Sequence, residues 1–75
     1  MNISSVVIRT IPERVETVIE NLENFLWCDV HFKDESGKII VTIEADGAND
    51  ATEKVKQLQA LKNVFSADPV YFYED

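Results

Sequence analysis

His31 is the one histidine of the chain and Cys28 the one cysteine, so the side chains best suited to proton transfer or nucleophilic attack occur singly. A catalytic triad or a zinc site needs several such groups converging, and the residues around His31 supply no companions. His31 therefore reads as a solvated strand residue. Cys28 lacks a Cys-x-x-Cys partner and reads as a small buried apolar side chain. Carboxylates are plentiful, but Glu13, Glu16, Glu20 and Glu23 recur at spacings of three and four, which makes a helical stripe and not a convergent acid–base pair. Such crowding costs on the order of a few tenths of a kcal/mol per pair, and a basic partner would relieve it. No enzyme chemistry, no cofactor and no metal are expected.

Charge and length narrow the partners. A net charge of -7 disfavours nucleic acid and anionic membrane, because both are bound through accumulated Lys and Arg. A chain of 75 residues is expected to form a single domain spanning 1–75, too small for a deep active-site cavity. No apolar stretch approaches the ~20 residues needed to cross a bilayer. Met1 leads straight into a strand-like segment without a charged and then apolar leader, so a cytoplasmic protein is expected. A lone cysteine excludes an internal disulfide, in keeping with that compartment.

The elements that must position any site follow from periodicity. Ile3 to Thr10 is β-branched and strand-like. Thr10 and Glu13 have capping-box spacing, Pro12 suits a first helical turn, and Val15, Val18, Ile19, Leu22 and Leu26 form an apolar stripe on a helix ending near Asn24 or Phe25. Cys28, Val30 and Phe32 alternate with Asp29, His31 and Lys33, the period of a half-buried strand. A turn at Asp34-Glu35-Ser36-Gly37 joins it to a second alternating strand ending at Ala45, so the two predict a hairpin. Asn49 or Asp50 then caps a helix with Ala51, Val55, Leu58 and Leu61 on its apolar face. Asn63 suits a left-handed cap, and a last strand runs from about Val64 to Tyr73. Pro69 consigns that strand to an edge.

The order is strand, helix, strand, strand, helix, strand. It predicts an α+β, ferredoxin-like split βαββαβ fold, with a four-stranded antiparallel sheet of order 4-1-3-2 and two helices on one face. The other face is left bare. Alternation directs Val6, Ile8, Val30, Phe32, Val41, Ile43, Val70 and Phe72 to the helices. It leaves Ser5, Val7, Arg9, Asp29, His31, Lys33, Ile40, Thr42, Glu44, Tyr71 and Tyr73 on the open face. The central strands of that face carry no stacking aromatics, so RNA is not its partner. Thr10-Ile11-Pro12 offers no glycine-rich phosphate cradle of the acylphosphatase kind.

The strings Ile3-Ser4-Ser5-Val6-Val7-Ile8 and Gly37-Lys38-Ile39-Ile40-Val41-Thr42-Ile43-Glu44-Ala45, followed by Val64 and Val70-Tyr71, resemble the NapD family over nearly the full length. That family consists of small cytoplasmic chaperones of the catalytic subunit of periplasmic nitrate reductase. The resemblance implies binding of the twin-arginine signal peptide of the reductase precursor, which is held back from export until its cofactor has been inserted. It implies that the peptide docks as a helix on the sheet, at Ser5, Val7, Ile40, Thr42 and Tyr71. Asp29 and Glu44 are the acidic residues placed to meet the arginines. Leu26-Trp27 stands where the family has a Pro-Gly turn, Asn63 replaces a glycine and Pro69 an aliphatic residue. Trp27 is expected to be partly buried. A monomer is expected, with the edge after Pro69 as the place where a second copy would pair.

The alternative reading is an ACT-like regulatory domain that binds a small molecule, which shares this order of elements. Such domains carry a glycine in the loop after the first strand, and none occurs between Ser5 and Glu13.

Overall fold

The computed structural model describes residues 2–70. Val6, Val7, Ile8 and Thr10 favour extended backbone, and their segment forms β1 (Asn2–Thr10). Pro12 opens a single 3₁₀ turn (Pro12–Arg14) that leads into α1 (Val15–Leu22). The capping box expected from Thr10 and Glu13 does not form, because Ile11 holds the cap position without a side-chain bond. Thr10 stays in the sheet opposite Val64, 2% exposed, and its hydroxyl donates to the Ile11 carbonyl at 3.1 Å.

Leu26, expected on the stripe of α1, is 97% exposed. The helix ends at Leu22 and the chain leaves it through a turn that sends Phe25 and Trp27 inward. Their rings stack with centroids 4.6 Å apart, Lys54 lies 5.4 Å over the Trp27 ring, and Leu26 between them faces water. Trp27 is half-buried, as its size and position led one to expect.

β2 (Cys28–Lys33) and β3 (Lys38–Ala45) form the hairpin. Its turn is tied by the Asp34 carboxylate, which accepts from Ser36 Oγ, the Ser36 amide and the Lys38 amide at 2.6, 2.9 and 3.1 Å. The Ser36 hydroxyl, with these amides, holds that carboxyl below the usual Asp range. α2 (Ala48–Gln59) starts two or three residues earlier than a cap at Asn49 or Asp50 would allow, with Gly47 at its cap. Asp50 sits inside the first turn, and its carboxylate reaches back to accept the Asp46 amide at 2.9 Å. This bond, with Lys54 at 3.0 Å, keeps the Asp50 carboxyl below its usual range. Asn63, at φ 70°, makes the left-handed exit into β4 (Val64–Val70).

The sheet order is β2-β3-β1-β4 with every pairing antiparallel, the split βαββαβ arrangement, and β4 with Pro69 lies at an edge. Val6, Ile8, Ile39, Val41 and Ile43 pack against Val18 and Leu22 of α1 and Leu58 of α2, all fully buried. Both helices thus cover one face, and no other described element covers the opposite one.

Two irregularities change which side chains that open face carries. The β2–β3 register shifts between Val30 and Phe32, with His31 as the extra residue. Phe32 therefore pairs with Ile40 and is 46% exposed on the open face, not turned to the helices. Lys33 moves the other way, from the open face to the helix side, where it ion-pairs with Glu16 of α1. A second shift falls between Arg9 and Thr10, with Phe65 as the extra residue. Val70, expected to meet the helices, instead pairs with Ser5 on the open side, while Ala67 is the buried member of β4. Tyr71, Phe72 and Tyr73 lie outside the described residues.

Candidate functional site

The two central strands build the middle of the open face from four half-buried residues. Val7 of β1 lies opposite Ile40 of β3, and Ser5 lies opposite Thr42. Their partners on the helix side, Val6, Ile8, Val41 and Ile43, are fully buried, so the backbone beneath this patch is fixed by the core. Four of the five expected contact residues are therefore adjacent. The fifth, Tyr71, lies outside the described residues.

The outer strands extend this patch into rows. Phe32, Ile40, Val7 and Asp68 form one row across β2, β3, β1 and β4, and Asp29, Thr42, Ser5 and Val70 form the next. Ile3, 66% exposed, lies opposite Glu44 at one end, and Arg9 lies opposite Lys38 at the other. Asp29 and Glu44 are both exposed, within a strand pair of the patch. Glu44 is also well anchored through its backbone: its amide donates to the Trp27 carbonyl at 2.9 Å, and its carbonyl accepts from Lys54 Nζ at 2.7 Å.

Phe32, Val70 and Ile3 enlarge the apolar surface beyond the residues expected from the sequence. Ile3 shares the parity of Ser5 and Val7 and could have been counted with them. Phe32 and Val70 are displaced by the two register shifts, for which residue type gives no signal.

This surface offers contact area and charge, not acid–base chemistry. His31 is exposed, with Nε2 2.7 Å from Thr42 Oγ1, and has no carboxylate or thiol partner among the described contacts. No cluster of three metal-binding side chains occurs among the described residues. The cleft of ≈ 310 Å³ bounded by Glu13, Glu16, Lys33 and Asp34 lies on the helix side of the hairpin. Two of its carboxylates are already engaged, Glu16 with Lys33 and Asp34 within its own turn.

Cys28 is buried at the start of β2, and burial, reinforced by the Asp29 charge, pushes its thiol up to about 11. Relative to the ordinary thiol value of 9.0, that lowers the thiolate fraction at neutral pH. Iodoacetamide should thus label the native chain roughly 100-fold more slowly than the denatured chain, before steric shielding adds to the difference. Comparable rates, followed by mass spectrometry, would show that the β2 end of the core opens readily.

The comparisons with known proteins agree with this geometry. A search of the curated proteins finds no match. Among solved structures, the chain is similar to the solution structure of the E. coli Tat proofreading chaperone protein NapD. The two share a TM-score of 0.87 at 24% sequence identity, over 99% of this chain and 79% of that one. The family model described as NapD protein matches residues 1–75. Matched along its whole length, the chain belongs to the NapD family.

Proposed function

We propose that the chain is a cytoplasmic chaperone that binds the twin-arginine signal peptide of the catalytic-subunit precursor of a periplasmic nitrate reductase, restraining export until cofactor insertion is complete. The observation that carries this reading is the uncovered sheet face, with Val7 and Ile40 side by side at its centre. A similar fold belongs to a protein described as a Tat proofreading chaperone, and the family is the same. An apolar segment of the peptide would lie over Val7, Ile40, Ser5 and Thr42. Its arginines would meet Asp29 and Glu44, and the net charge of -7 would speed encounter with a basic ligand.

Titrating the labelled chain with a synthetic twin-arginine signal peptide tests this reading. Amide shifts should concentrate at Ser5, Val7, Ile40 and Thr42, and binding should weaken as salt is raised. Changing both arginines to glutamine should cost roughly 10-fold in affinity, the sum of two partly exposed ion pairs. Shifts confined to the helix side, or equal affinity for the two peptides, would contradict it.

A further inference from the structure

Resting on that reading, we propose that the open face also sets the direction of the bound peptide. The arginine-bearing N-terminal part lies at the Ile3 and Glu44 end, and the apolar part runs parallel to β1 toward Arg9 and Lys38.

The charges of the open face are sorted along the strands. Glu44 marks the row of Ile3, and Asp29 the row of Ser5. At the far end Arg9 and Lys38 lie directly opposite each other, a like-charge cross-strand pair that costs stability. Neither takes part in an ion pair among the described residues. The nearby Asp34 carboxylate, tied in its own turn, keeps its charge and offsets part of that of Lys38, one anion against two cations. In a chain with twice as many acidic as basic residues, 14 against 7, two adjacent cations at one end of the exposed face form a local barrier to a basic ligand. Asp68 lies on β4 in the row of Val7, next to that of Arg9, and offsets part of the field of the cation pair without reversing the sign of that end.

Length sharpens the argument. The rows of Ile3 and Arg9 are six residues apart on β1, about 20 Å at the rise of a strand. That span accommodates about 13 residues of helix but only about six of extended chain. In the stated direction, a helical peptide brings its arginines and its amide end to the carboxylates. Its carbonyl end then falls beside Arg9 and Lys38, where cations are favourable. The opposite direction stacks arginine on the Arg9–Lys38 pair and reverses each of these interactions.

The test uses a synthetic peptide with an arginine pair followed by an apolar segment, carrying a nitroxide at one end or the other, bound to the full chain. With the label at the N-terminus, the amide signals of Ile3 and Glu44 should be lost while those of Arg9, Lys38 and Ser66 persist. With the label at the C-terminus the pattern should invert. Broadening of the Arg9 end by the N-terminal label, or of both ends equally, would overturn the proposed direction while leaving the binding function standing. Absence of binding would overturn both. In a chain carrying Arg9→Glu and Lys38→Glu, both ends become acidic, and the N-terminal label should broaden both. Retention of one direction in that variant would show that the cation pair does not set it.

Discussion

Replacing Gly37 with alanine should lower the stability of the domain by about 3 kcal/mol, from a strained backbone and a steric clash together. In thermal unfolding that is a fall of about 15 °C. Gly37 has φ +94°, and a Cβ built there would stand 2.3 Å from the Thr10 carbonyl oxygen. The contact cannot relax easily, because the Thr10 amide donates to the Gly37 carbonyl at 2.8 Å and Thr10 is locked into β1. The hairpin turn is thereby fastened to the place where β1 hands over to Pro12 and α1. Gly47 is the internal control: its φ is +117°, but nothing lies within 4 Å of its would-be Cβ. Gly47→Ala, at φ 117° and ψ 178°, should lose only the conformational part, about 1–2 kcal/mol. Equal losses at the two sites would show that the contact with Thr10 is immaterial.

Replacing Ile40 with lysine should weaken binding of a twin-arginine peptide by at least about 100-fold, since burying an isoleucine side chain is worth about 1.5–3 kcal/mol and a desolvated ammonium adds to the loss. Ile40 lies between Phe32 and Val7 at the centre of the open face, so the substitution would put a cation beneath the apolar part of the ligand. The fold should survive within about 1 kcal/mol, because Ile40 is half-buried on the uncovered side while its neighbours Ile39 and Val41 hold the core. Calorimetric titration alongside thermal unfolding separates the effects. An unchanged affinity in the folded variant would move the binding site off the sheet centre.

Several elements were legible because one residue type dominated a local choice. Pro69 marked β4 as an edge strand, Asn63 supplied the left-handed exit from α2, and the alternation from Ile39 to Ala45 set both faces of β3. Four of the expected contact residues consequently came together as neighbours, Val7 with Ile40 and Ser5 with Thr42. Phe32 and Val70 were misplaced because alternation was counted through His31 and Phe65. Each of these residues is inserted without a partner, and neither glycine nor proline announces it. Leu26 fits the helical period as well as Leu22 does. What removes it from the stripe is the competing burial of Phe25 and Trp27, a tertiary preference that periodicity does not encode.

The two register shifts have another consequence. Both outer strands are interrupted: β2 is bent at His31, and β4 carries an extra residue at Phe65 and a missing amide donor at Pro69. A growing fibril or a slipped dimer needs a long, regular border on which to add a strand, and neither border is regular. The chain can therefore leave Ile3, Phe32 and Val70 in water while protected against the ordered aggregation that an exposed apolar sheet invites.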